Sequence, residues 1–139
     1  MILLDTCVVS ALMRPQDNGP VVAWLDRQSS VSIWTTAVTV LEIRFGVLAM
    51  PDGRRRAKFE HAFVGLLQQD LDGRIAAFDL AAAEAAATLA SERRRKGRPT
   101  DVRDTQIAGI ALARRAAIAT RNTKHFGDLS IPIIDPWTA

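Results

Sequence analysis

The chain begins Met1-Ile2-Leu3-Leu4-Asp5-Thr6. Ile2 to Leu4 is apolar at every position and halts on an acid, which fits a strand buried on both faces of a parallel sheet. Working outward, Thr6 to Met13 reads as a turn entering a short helix that Arg14-Pro15 ends. Gly19-Pro20 restarts the chain, and Val21, Val22, Trp24 and Leu25 suit a second short helix up to Arg27. Val31 to Trp34, rich in β-branched and aromatic residues, predicts the next strand. Thr35 or Thr36 can cap a helix to about Met50, stopped by Pro51-Asp52-Gly53. Along it Val38, Leu41, Phe45 and Leu48 recur at three and four residues, which predicts one core face.

Arg54 to about Leu71 is a further amphipathic helix, with Phe59, Phe63, Leu66 and Leu67 inward. Asp72-Gly73 turns into a strand from Ile75 to Phe78. The Ala-rich stretch from Leu80 to Lys96 is a strong helix, broken by Gly97 and Pro99. Asp101 can cap a last helix to about Ala116, packed through Ile107, Ala108, Ala111 and Leu112. Ile118 to Thr120 and Ile131 to Ile134 close the set as short strands. Composition does not shift along the chain, and there is no repeat or linker. The connections are long enough for crossover helices and poor in hairpin turns. The expectation is one α/β domain over residues 1–139, with a mainly parallel sheet of four to five strands flanked by helices.

Composition narrows the function classes. In 139 residues, 48% hydrophobic and 24% charged side chains exclude disordered and low-complexity chains. A single cysteine excludes an intramolecular disulfide and a cysteine-rich metal site. Met1 to Leu4 lacks a basic flank and meets Asp5 too early for a signal peptide. No stretch approaches the roughly 18 apolar residues of a membrane span, so a reducing, cytoplasmic setting without membrane contact is expected. The net charge is +3, and fifteen of the eighteen bases are Arg, which forks onto phosphate as Lys cannot. High-GC coding enriches Arg as well, so composition points to a polyanion without requiring one.

The acids sharpen this. Ligands of open parallel sheets collect outside the carboxyl ends of the strands. Asp5 ends the first strand, Glu42 lies one or two turns into the helix after the second, and Asp104 sits in the first turn of the helix preceding the Ile118 strand. Two carboxylates ~5 Å apart at an effective dielectric of ~20 repel by about 3 kcal/mol. Converging acids should therefore titrate upward unless a cation holds them ionised. An oxygen-only ligand set, with no His pair or Cys cluster, selects Mg²⁺ or Mn²⁺ over Zn²⁺.

Met1-Ile2-Leu3-Leu4-Asp5-Thr6, Thr39-Val40-Leu41-Glu42-Ile43-Arg44-Phe45-Gly46, Asp104-Thr105-Gln106-Ile107-Ala108 and Ala119-Thr120-Arg121-Asn122 resemble the four signature blocks of the PIN domain. With Ile134-Asp135-Pro136-Trp137 closing it, the chain as a whole resembles the VapC toxins of type II toxin–antitoxin pairs, in their FitB-like branch. The resemblance implies a single PIN-like domain and a Mg²⁺- or Mn²⁺-dependent endoribonuclease. Its catalytic acids map onto Asp5, Glu42 and Asp104, with metal on Asp5 and Asp104. Water acidified at the metal would attack phosphorus in line.

Thr6, Thr120 and Asn122 are then candidates to position carboxylate or water, and Arg121 and Lys124 to hold RNA phosphate. Exposed loops, such as those of translation-related RNA, are the expected target. A cognate VapB-like antitoxin, a homodimer and a toxin–antitoxin hetero-oligomer are the implied partners, with the Phe59–Leu67 helix as a contributor to the dimer. Two departures matter. Asn122 stands where many relatives carry a fourth acid, which bears on a second metal. Cys7 replaces a common Asn, which removes a hydrogen bond.

Other readings compete. A phosphatase with Asp5 as nucleophile wants a second Asp two residues on, where Cys7 stands. A cysteine phosphatase wants glycine in its phosphate loop, and Cys7-Val8-Val9-Ser10 has none. A catalytically weak or inactive PIN-fold module binding RNA or protein is the remaining alternative, although Asp5, Glu42 and Asp104 are all retained. Among single residues, Arg54-Arg55-Arg56 and Arg93-Arg94-Arg95-Lys96 read as solvated helix faces. Trp24, Trp34 and Trp137 read as core or interface residues. His61 and His125 read as surface residues, and Cys7 as a small apolar filler unless the helix start makes it a thiolate.

Overall fold

In the computed structural model, which describes residues 1–99 and 101–139, Ile2–Leu4 forms β1, the middle strand of the sheet. β2 (Ile33–Thr36) and β4 (Ala117–Ala119) flank it, β3 (Ile75–Ala76) lies outside β2, and β5 (Ile133–Ile134) lies outside β4. The order is β3-β2-β1-β4-β5 and every pairing is parallel. The apolar run of β1 is explained by this position. Leu4 joins Val8, Val9, Trp24 and Phe63 on one face, while Leu3 joins Ile107, Ile110, Ile118 and Phe126 on the other. Successive residues of a strand point to opposite faces, so a central strand under two helical layers needs apolar residues at both.

The helices are α1 (Thr6–Leu12), α2 (Gly19–Asp26), α3 (Ala37–Leu48), α4 (Arg54–Gly65), α5 (Leu80–Arg95) and α6 (Val102–Arg114). The first four pack on the Leu4 face, α5 and α6 on the Leu3 face. Caps fall at short polar residues: Asp5 on α1, Thr36 on α3, Asp79 on α5 and Asp101 on α6. α5 ends in a left-handed Gly97 (φ 66°), with the Arg98 amide returning to the Arg93 carbonyl at 2.9 Å. No helix among the described residues is long and apolar enough to cross a membrane.

Several expectations change: the outer strands are shorter than expected, Ile75–Ala76 and Ile133–Ile134. Val31 lies in a 3-10 turn, Ser30–Ser32, and the strand begins at Ile33, which pairs with Ile2. The helix from Arg54 gives way at Leu66–Asp70 to a π turn, closed by the Leu71 amide on the Leu66 carbonyl. Most importantly, α3 is rotated. Thr39, Ile43 and Val47 are buried with Val38, while Leu41, Phe45 and Leu48 are 56%, 65% and 61% exposed. α3 is apolar nearly all round, so spacing fits either face. In the rotation observed, the Thr39 hydroxyl lies 3.4 Å from Thr36 Oγ1 and 3.3 Å from Thr6 Oγ1, so its polar atom is satisfied inside. On the helix from Arg54, Phe63 and Leu66 are buried in the core as the spacing predicts, with Phe59 and Leu67 partly buried against it.

α5 and α6 form a close helical pair. A Cβ on Gly109 would stand 2.5 Å from the Ala82 carbonyl oxygen and 2.7 Å from Ala86 Cβ. Only glycine allows that approach, which seats α6 directly against α5.

Candidate active site

Parallel, in-register pairing builds the site. Leu4 pairs with Thr35 on one side and Ala119 on the other, so the next residues, Asp5, Thr36 and Thr120, share the carboxyl edge. Chain order reverses direction between β1 and β4, and such switch points open a crevice at the carboxyl ends. Asp5 is 5% exposed, and both of its oxygens are engaged. Oδ1 accepts from the Thr6 amide at 2.8 Å, which makes Asp5 the cap of α1 as well. Oδ2 accepts from the Thr120 hydroxyl at 2.7 Å. The Asn122 amide in turn donates to Thr120 Oγ1 at 3.0 Å, so Asn122 contributes backbone there.

Thr6 ties a second acid to the first. Its hydroxyl donates to Glu42 Oε1 at 2.8 Å and lies 3.3 Å from Thr39 Oγ1. Glu42 Oε2 meets Arg103 at 3.6 Å across α3 and α6. Asp104 follows its cap: Asp101 accepts from the Asp104 amide at 3.0 Å. Asp104 Oδ2 lies 2.7 Å from His125 Nδ1. His125 escaped sequence reasoning because a lone exposed His has no ligand spacing. The only signal was its place three residues beyond Asn122, one tight turn (Thr123–Phe126) from the site.

Electrostatics couple the acids. Burial pushes Asp5 upward, Thr120 and Thr6 hydrogen bonds oppose it, and the charge on Asp104 adds to the rise. Burial also raises Asp104, with Asp101 and Glu42 adding and His125 opposing. The upward direction matches the repulsion argument, but desolvation is the larger cause. Cys7 is no thiolate: burial raises it, and its Sγ lies 3.8 Å from Asp5 Oδ2, 3.6 Å from Thr120 Oγ1 and 3.4 Å from the Arg121 amide. Rather than leaving a gap, the thiol keeps a weak link among the same atoms.

Outside the acids, a cleft of about 550 Å³ is lined by Arg93, Arg98, Pro99, Asp101, Asp104, Lys124 and His125. Lys124 therefore borders Asp104, whereas the Arg121 guanidinium stacks on the Trp137 ring at 4.7 Å. Arg93 is not a solvated residue. It is 2% exposed and forks onto Asp128 through Nε and Nη2, each at 2.9 Å, which holds Asp128 below the ordinary carboxylate range. The Arg54–Arg56 run does lie at the surface, where Arg56 pairs with Asp52 and Glu60.

Among the described residues, no three His, Cys, Asp or Glu side chains close on one point as a finished metal cage. The donor chemistry still fits a hard, hydrated cation. Asp5 and Asp104 offer only oxygen; the charge on Asp104 adds to the rise of Asp5, and Asp101 and Glu42 add to that of Asp104. Mg²⁺ keeps most of its waters and takes one or two carboxylates, so it needs no such cage.

Comparison with known proteins agrees with the architecture. The PIN domain family model matches residues 2–131. A VapC ribonuclease, Y4jK of Sinorhizobium fredii, is 38% identical over 137 residues, covering 99% of this chain and 98% of that protein. Toxin FitB of Neisseria gonorrhoeae is 34% identical, covering 99% of each. A solved structure of FitAB bound to a DNA fragment superposes with a TM-score of 0.88 at 34% identity, covering 99% of this chain and 96% of that one. The parallel sheet, the acids at its carboxyl edge and these likenesses agree: the chain belongs to the PIN-domain family, alongside the VapC and FitB toxins.

Proposed function

We propose that this protein is a divalent-cation-dependent endoribonuclease, the toxin of a toxin–antitoxin pair, hydrolysing phosphodiester bonds in exposed loops of translation-related RNA. The observation that carries the reading is geometric: Asp5 is held by Thr6 and Thr120 where β1 ends, Thr6 also holds Glu42, and Asp104 lines a cleft shared with Lys124 and Arg98. Mg²⁺, or Mn²⁺ in its place, would be held by Asp5 and Asp104, with Glu42 nearby. When bound, such a cation supplies Lewis acidity, which acidifies water and offsets charge on the phosphate.

The chain's own residues do the rest. Thr120 and Thr6 orient the Asp5 carboxylate, and Thr6 also orients Glu42. The Asn122 amide fixes the Thr120 hydroxyl. Lys124, and Arg121 at the rim, hold the scissile or a neighbouring phosphate. With three of the fifteen acids assigned to this edge, twelve face eighteen bases elsewhere, so the exterior is more basic than +3 suggests. That suits RNA.

The partner is a cognate VapB-like antitoxin. FitB is solved with FitA, and further neighbours are VapB–VapC complexes. A homodimer fits the exposed Leu41, Phe45 and Leu48 of α3, large apolar side chains that the protomer itself does not cover. Mapping RNA 5′ ends in cells expressing the protein tests the reading. New ends at defined loop positions are expected, absent with Asp104→Asn and suppressed by co-expression of the cognate antitoxin. Identical end profiles for wild type and Asp104→Asn contradict it.

A further inference from the structure

His125 reaches Asp104 through a contact that no signature block announces. Its Nδ1 stands 2.7 Å from Asp104 Oδ2, although the side chain is 55% exposed. An exposed imidazole keeps one contact only if its backbone is held. Arg93 holds it: Nη2 donates to the His125 carbonyl at 2.8 Å while the same guanidinium forks onto Asp128. A buried guanidinium is costly unless its donors are used, so this one is a fastening between α5 and the Thr123–Phe126 turn. Arg98 fastens the preceding residue, donating to the Lys124 carbonyl at 2.7 Å. Phe126, fully buried, anchors the following one.

Groups that hydrogen-bond a metal-ligating side chain fix its orientation, and their loss commonly weakens metal binding about 10–100-fold. We propose that His125 is a positioning residue for Asp104: its Nδ1–H donates to Oδ2, fixes the carboxylate plane and leaves the other oxygen available to a cation, while Arg93 fixes His125. The assignment rests on the reading of Asp104 as a cation-holding residue. It requires no change of charge on the ring, because neutral imidazole with its proton on Nδ1 is also a donor.

The test is a calorimetric Mn²⁺ titration of metal-free wild type, His125→Ala, His125→Asn and Asp104→Asn, with melting temperatures taken in EDTA. His125→Ala should bind Mn²⁺ about 10-fold or more weakly at an unchanged melting temperature. His125→Asn should recover most of the affinity, since its amide nitrogen stands as far along the side chain as Nδ1. If Asp104→Asn loses Mn²⁺ while His125→Ala binds as wild type does, the positioning role is overturned and the metal reading stands. If His125→Asn is as weak as His125→Ala, the hydrogen bond is not the cause and the proposal falls. Wild-type affinity in Asp104→Asn would overturn the metal reading, and this inference with it.

Discussion

Thr120 donates its hydroxyl to Asp5 Oδ2 at 2.7 Å, joining residues 115 positions apart in sequence at the carboxyl ends of adjacent strands. Of the interactions that hold the Asp5 carboxyl down against burial, this bond is the largest. Thr120→Val keeps the shape and removes the donor. The buried acceptor left behind should cost about 1–3 kcal/mol. Divalent-ion affinity should fall about 10–100-fold. Thermal melting and Mn²⁺ titration check the two effects separately, and unchanged ion affinity would remove Thr120 from the site.

Asp104 offers a pH test with a defined sign. Its carboxyl is raised above 3.8 in the folded protein, first by burial and then by Asp101. Between 3.8 and that raised value the folded state binds more protons than the unfolded state, so this group's contribution to stability falls as pH rises. At neutral pH the ionised acid therefore costs the metal-free protein stability. Asp104→Asn removes the cost: its melting temperature in EDTA at pH 7 should equal or exceed that of wild type. The difference between the two should shrink as the pH drops toward 4. A clear loss of several degrees at pH 7 would mean that Asp104 serves the fold rather than the cation.

The outward side of α3 predicts assembly. Phe45 is 65% exposed, between Leu41 and Leu48 on the same face. Phe45→Ser should change protomer stability by no more than about 0.5 kcal/mol, the usual range for surface substitutions. Light scattering after gel filtration should show a dimer for wild type and a shift to monomer for the variant. A dimer of equal strength in both would place the interface elsewhere.

Much of this was readable from residues alone, for a physical reason. β1 had to be apolar on both faces, so Ile2-Leu3-Leu4 announced a central parallel strand, and Asp5 had to lie at its carboxyl end. Asp101, Thr36 and Gly97 carried their capping roles in their side chains. α3 was not readable in the same way. Leu41, Phe45 and Leu48 have core spacing, yet the rotation observed brings Thr39 and Glu42 to Thr6, contacts that exist only once α1 and α3 lie side by side. Arg93 and His125 were illegible because their roles depend on a tertiary contact. A base in a run of bases reads as solvated until Asp128 and the His125 carbonyl are brought to it.

Asp5 and Asp104 are proposed above as a cation-dependent centre for cutting RNA. That proposal is tested most directly by incubating the purified protein with a loop-bearing RNA in Mg²⁺ or Mn²⁺, in EDTA, and as Asp5→Asn. Cleavage at discrete loop positions is expected with either ion, none in EDTA, and a loss of at least about 100-fold in Asp5→Asn, of the order seen when a preorganised charge-stabilising group is removed. Cleavage at the wild-type rate in EDTA-treated protein or in Asp5→Asn would contradict it.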